Sequence, residues 1–183
     1  MPITVEYKPW IEYPEIWATE AQWWSYLRGA LRRGLWEKSP IKLSFKNENC
    51  SPPPENYQGR ARSGAVCSLS GVWTGKSRLE VDHCEGNVSL LSWTDVLPFI
   101  LHLVPPKGSI QLVDKEMHKI KSYAEKQGIS LERARAEKTA IRLQKEKQDV
   151  QWLKENGIIP ASNSAKRRVQ IVERLMEEKE NDL

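Results

Sequence analysis

The stretch Leu79-Glu80-Val81-Asp82-His83-Cys84-Glu85-Gly86 decides the reading of this chain. Its first residues favour extended structure, it runs into an adjacent carboxylate and imidazole, and Gly86 breaks it. It therefore reads as a short strand that delivers Asp82 and His83 at its end. Asp82 offers a hard oxygen ligand for a divalent cation, and His83, whose ordinary pKa lies near neutrality, can take a proton from water. A second imidazole follows in Met117-His118-Lys119-Ile120-Lys121. A metal with a base beside it is the combination that phosphodiester hydrolysis requires. An Asp-His pair alone is weak evidence for such a site, because a lone histidine more often serves the surface or the core.

The chain has 183 residues, enough for one or two small domains, and a formal net charge of +4. The charge is unevenly spread. Between Lys115 and Arg168 there are 14 basic and 7 acidic residues, whereas Glu173 to Leu183 holds 2 basic and 5 acidic. A basic second half suits a polyanionic partner, and a solvated helix surface is the plainer account. The 3 cysteines, Cys50, Cys67 and Cys84, are odd in number and widely spaced, which argues against a disulfide framework and fits a reducing cytosol. No charged-then-apolar leader pattern occurs, and no apolar run approaches a membrane span, so no membrane partner is expected. Of the 8 tryptophans, Trp10, Trp17, Trp23, Trp24 and Trp36 crowd the first fifth of the chain. They read as an aromatic core, with base stacking as the alternative.

Taken in order, Pro2, Pro9 and Pro14 predict an extended aromatic arm. Thr19 caps a helix over Ala21 to Trp36, whose Leu27, Leu31 and Leu35 recur at i+4. Arg28, Arg32 and Arg33 lie off that stripe and either touch phosphates or are solvated. Ser39-Pro40 ends the helix, and residues 46–64, with Ser51-Pro52-Pro53-Pro54, read as a linker. Ala65 to Leu69 and Arg78 to Asp82 flank Gly71 and Gly75 in a hairpin pattern. Ser92 to Leu103 reads as a helix bent at Pro98, and Ile110 to Gln127 as a short strand or turn followed by a helix that stops at Gly128. His118 falls near the start of that helix. Ser130 to about Asn156 reads as one long polar helix, and a last helix begins at Ser162 or Ser164 with Lys166-Arg167-Arg168 in its first turn. Those two helices with the Gly157 turn between them form either a helix-turn-helix or a structural helical hairpin. The expected fold class is α+β: an arm and helix over 1–45, a linker over 46–64, a strand–strand–helix core over 65–128 and a basic helical extension over 129–183.

Several segments now occur in a telling order: Trp17-Ala18-Thr19-Glu20-Ala21-Gln22, Tyr26-Leu27-Arg28-Gly29-Ala30-Leu31-Arg32-Arg33, Leu79-Glu80-Val81-Asp82-His83, Ile110-Gln111-Leu112, and His118-Lys119-Ile120-Lys121-Ser122. The series resembles the phage-encoded HNH endonuclease family, which includes free-standing homing endonucleases, over roughly residues 14 to 143. The resemblance implies a ββα-metal core that hydrolyses phosphodiesters of double-stranded DNA with a divalent metal, Mg²⁺ or Mn²⁺. It implies that His83 is the general base, and that Asp82 and His118 are the metal ligands. Lys119 and Lys121 then meet backbone phosphates, and the DNA-binding set extends to Arg28, Arg32, Arg33, Lys166, Arg167 and Arg168. The cytoplasm of an infected bacterial cell follows as the location.

Two departures accompany the resemblance. The family's middle Asn, which orients the base, has Ser109 in its place, with Asn87 as a second candidate. Many relatives also hold a structural zinc with two Cys pairs. Here Cys67-Ser68-Leu69-Ser70 keeps one Cys of the first pair, and the places of the second pair fall around Asp114 and Met117. A four-thiolate zinc site cannot form from these residues, so no structural zinc is expected, and packing around Cys67, Trp73 and Met117 must replace it. These departures motivate an alternative: a catalytically degenerate scaffold that binds DNA without cutting it. The Trp-rich arm suggests a third, a phage structural protein.

Overall fold

The computed structural model describes residues 7–86 and 88–181, the side chains of 179–181 excepted. The chain mixes helix with two small antiparallel sheets and divides into two compact units between Lys115 and Glu116.

The first unit opens with the one-turn helix α1 (Pro9–Glu12), in which Pro9 occupies the first turn, and α2 (Glu20–Leu31). Thr19 caps α2 by accepting from the Gln22 N–H at 3.3 Å, while the Gln22 side chain accepts from the Ala18 N–H at 2.8 Å. Together they satisfy amides that the first helical turn cannot. The helix continues not as α but as a π-helical segment, Arg32–Glu37. The wider turn changes the angular spacing of the residues that follow, Trp36 among them. Trp24, Leu90, Phe99 and Leu103 form a core under Trp10, Trp23, Leu27, Leu31 and Leu35. The early tryptophans thus pack on one another and on α4 (Val96–Leu103). Pro98 lies in the first turn of α4, where an amide has no helical acceptor to lose, so it opens the helix where a bend was expected.

Ser39-Pro40 both ends one helix and starts α3 (Pro40–Glu48), so the expected linker begins later than residue 46. The strands are β1 (Gly64–Val66), β2 (Trp73–Gly75), β3 (Leu79–His83) and β4 (Ile110–Asp114). The expected pairing of Ala65–Leu69 with Arg78–Asp82 does not form. β1 pairs instead with β2 around a tight turn at Gly71, whose φ of +68° suits glycine. Gly64 is required there as well, since a Cβ would lie 2.2 Å from the Thr74 carbonyl oxygen. That leaves β3 to pair across the α4 insertion with β4, in the register Leu79↔Asp114, Val81↔Leu112, His83↔Ile110. Alternation along these strands turns Leu79, Val81, Ile110 and Leu112 into one core with Ala65, flanked by Trp36, Ile41 and Phe45.

The second unit is helical. β4 runs without an intervening residue into α5 (Lys115–Gln127), followed by α6 (Leu131–Lys145), α7 (Asp149–Glu155) and α8 (Ser164–Asn181). Ser130 caps α6 by accepting from the Arg133 N–H at 3.2 Å. The single long helix expected over 130–156 is two helices, broken at Lys147, which sits at φ +57°. Leu143 before the break and Leu153 after it are buried in one core with Ala136, Ala140, Ile171 and Val172.

Glu137 ties three of these helices together. It accepts from the Tyr123 hydroxyl at 2.6 Å, from Arg133 Nε at 3.4 Å and from Arg168 Nη2 at 3.2 Å. The Tyr123 hydrogen bond foremost, with Arg133 and Arg168, holds this carboxyl below the usual glutamate range against the opposing effect of burial. A depressed carboxyl pKa adds stability that is fully present above the unfolded value of about 4.3 and is lost as pH falls through the lower folded value. Glu137→Gln is therefore expected to cost the second unit about 1–2 kcal/mol at pH 7. The difference from wild type should shrink in acid denaturation below about pH 4. A pH-independent difference would assign the effect to packing.

Candidate active site

His83 lies at the last position of β3 with 9% of its surface exposed. Its ring is held from two sides. The Trp36 indole stacks on it at 4.0 Å between centroids and 25° between planes, and the His102 ring stacks at 3.9 Å and 19°. Trp36 in turn carries the Lys42 ammonium 4.3 Å from its ring centroid. Burial pushes the Lys42 pKa down, against the pull of Glu80 and Glu37.

The hydrogen bond from His83 Nε2 to the His102 carbonyl oxygen, at 2.7 Å, follows from helix ends. His102 lies in the last turn of α4, where carbonyls lack helical partners. A carbonyl only accepts, so Nε2 carries the proton of this bond. Beside the two imidazoles lies a cavity of about 400 Å³, lined also by Cys84, Glu85, Leu101 and Ser109. The cavity brings His83 and Ser109 together and adds His102 and Glu85, which the sequence reading missed. A lone histidine in the apolar run Val96-Leu97-Pro98-Phe99-Ile100-Leu101-His102-Leu103 carries no periodic signal, but its place at a helix C-terminus beside a Pro-Pro break was legible.

Ser109 makes hydrogen bonds within its own loop and to the end of β3. Its carbonyl accepts from the Cys84 N–H at 2.9 Å, and its hydroxyl donates to the Pro106 carbonyl at 2.9 Å. Asn87, the other candidate, lies outside the described residues. Asp82 is 8% exposed, and strand alternation turns it to the sheet face opposite His83, opposite Gln111 in the ladder. His118 sits half-buried in the first turn of α5, within the second unit. Among the described residues no group of three or more His, Cys, Asp and Glu side chains is placed to hold a metal ion.

The three cysteines are free thiols. Cys67 is fully buried, and its Sγ accepts from the Asp114 N–H at 3.3 Å. Burial pushes this thiol up, but hydrogen bonds from the Ser70 hydroxyl and from the N–H groups of Asp114, Leu69 and Ser70 outweigh it and hold the pKa below the ordinary range. Positions 67, 70 and 114 are thereby drawn together by hydrogen bonds, and Arg78 pairs with the Asp114 carboxylate at 3.2 Å.

The expected DNA contacts separate into two kinds. Arg28 donates to the Leu90 carbonyl at 3.0 Å, Arg167 pairs with Asp149 at 2.7 Å, and Arg168 pairs with Glu137, so these three brace the fold. Arg32 lies over the Phe99 ring at 5.8 Å with its side chain exposed, and Arg33 and Lys166 are exposed. Lys119 pairs with Glu116 at 2.8 Å at the surface, and Lys121 with Glu125 at 3.0 Å. No helix among the described residues is long and apolar enough to cross a membrane. Comparison of the chain with models of protein families, with curated proteins and with solved structures found no match.

Proposed function

We propose that the chain is a metal-dependent DNA endonuclease of the HNH type, with His83 as general base. The observation that carries this reading is the setting of His83, an imidazole clamped between two rings with Nε2–H donated to a carbonyl at the edge of a cavity. An imidazole held in this way keeps one orientation at the edge of the cavity, which is what a positioned general base requires. The order β3, β4, α5, with Asp82 and His83 at the end of the first strand and His118 in the first turn of the helix, agrees with the resemblance. So does the convergence of Cys67, Ser70 and Asp114, the places where relatives carry zinc cysteines.

The resemblance would make Asp82 and His118 the residues that hold the metal. A carboxylate oxygen and an imidazole nitrogen form a donor set that suits Mg²⁺ or Mn²⁺ when water and a phosphate oxygen supply the other positions. When bound, the ion supplies charge neutralisation for the scissile phosphate and the leaving 3′ oxygen. His83 takes the proton of the attacking water, and His102 holds that ring through its backbone carbonyl. One observation favours the degenerate-scaffold alternative: Ser109 holds Cys84 and Pro106 where an orienting Asn is expected. The deciding experiment is conversion of supercoiled plasmid, and of source-phage DNA, to open-circle or linear form with Mg²⁺ or Mn²⁺, with EDTA as the control. Cleavage that EDTA stops is the expected result; DNA that is bound but never nicked would transfer the chain to the alternative.

A further inference from the structure

The second unit holds a feature that the nuclease reading does not use. A cleft of about 550 Å³ opens between α5 and α6, lined by Lys119, Arg135, Lys138, Arg142 and Lys145 against two carboxylates, Glu116 and Glu146. Four of the five cations come from α6 alone, at positions 135, 138, 142 and 145, a spacing of three and four that places them on one face. The opposite side of α6 is committed to the core through Ala136, Ala140 and Leu143, so the cations point away from that core, Arg142 and Lys145 exposed and Arg135 and Lys138 half-buried.

What the α6 cations touch separates them from the other basic residues of the unit. Arg133 and Arg168 spend their charge on Glu137, and Arg167 spends its charge on Asp149. Arg135 instead donates to the Met117 thioether at 3.2 Å, and the Lys138 ammonium lies 4.4 Å from the Tyr123 ring centroid. Both partners are uncharged, so they position the side chains and leave the positive charge in place. Arg142 and Lys145 are exposed.

We infer that this cleft is a clamp for the sugar–phosphate backbone of duplex DNA. The inference rests on DNA as the substrate and adds where its backbone is held. The cations are drawn out along the helix: positions 135 to 145 span about 15 Å at 1.5 Å per residue, the run of roughly four phosphates on one strand. A single phosphate or nucleotide would call for cations converging on one point. The lining offers neither an aromatic platform on which an unpaired base could stack nor an Asn or Gln to read a base edge. The clamp therefore recognises the duplex backbone regardless of sequence, and selectivity must come from elsewhere in the chain.

The test is fluorescence anisotropy of the full chain with a labelled duplex in EDTA, across a salt series, for wild type, for Arg142→Ala/Lys145→Ala and for Arg142→Lys/Lys145→Arg. The two exposed positions are chosen so that folding is spared. The slope of log affinity against log salt should be shallower by about 1.8 in the alanine variant, at about 0.9 per lost phosphate contact, and near wild type in the charge-keeping variant. An unchanged slope in the alanine variant overturns the clamp, as does tighter binding of single strands or of an acidic peptide than of the duplex. Because no metal is present and nothing is cut, the result is separable from the nuclease reading. Plasmid cleavage with an unchanged slope removes the clamp alone, and a flattened slope without cleavage removes the nuclease alone.

Discussion

His83→Ala is expected to lower metal-dependent plasmid cleavage by roughly 10²- to 10⁴-fold, the range that a positioned general base contributes. The effect should fall on the chemical step, with duplex binding in EDTA nearly unchanged. Alanine alone leaves an ambiguity, because the His83 ring is stacked between Trp36 and His102 and its removal opens a gap. His83→Gln resolves it. The glutamine amide can still donate to the His102 carbonyl and fills much of the same space, but it cannot accept a proton at neutral pH. Glutamine and alanine variants equally inactive, with wild-type circular dichroism, place the proton transfer on His83. A glutamine variant that cuts like wild type removes His83 as the base. His102→Ala should cost far less than either, because the hydrogen bond to His83 uses the backbone carbonyl and survives loss of the ring.

Half of this site was readable from the chain. Local pattern put His83 at the end of a strand, because β-formers and a following glycine are both local signals. Its strand partner was not readable: Gly71 and Gly75 invited the nearest hairpin, whereas the ladder that forms closes across the whole α4 insertion. His102 reaches His83 only through that long-range closure. The basic run Lys166-Arg167-Arg168 shows a different limit. Sequence counts charges but does not reveal which of them a carboxylate has already claimed, and the partners here lie far along the chain, on α6 for Arg168 and at the start of α7 for Arg167. The break at Lys147 was hidden because neither Gly nor Pro marks it.

Arg167→Ala is expected to destabilise the second unit by about 3–5 kcal/mol, the cost of leaving a buried charge without its partner. Asp149 keeps only 8% of its side chain exposed, and Arg167 19%, at an Nε to carboxylate distance of 2.7 Å. The same guanidinium donates from Nη1 to the carbonyls of Ala161 and Ser162 at 3.1 Å each, so it also fastens the turn between α7 and α8. Hydrogen exchange of the α7 and α8 amides reads this unit's stability directly. The neighbouring Lys166, exposed and one residue away, serves as the control, and Lys166→Ala should stay within about 0.5 kcal/mol. Pairing Arg167→Met with Asp149→Leu should recover most of the loss, because removing both charges spares the cost of burying either one alone. The competing account, drawn from the basic run itself, has Arg167 on a DNA phosphate. It requires the reverse pattern: stability close to wild type in Arg167→Ala, and a salt slope of duplex binding that flattens by about 0.9. A guanidinium already buried against a carboxylate would have to break that pair to reach a phosphate, and Arg142 and Lys145 on α6 face no such cost.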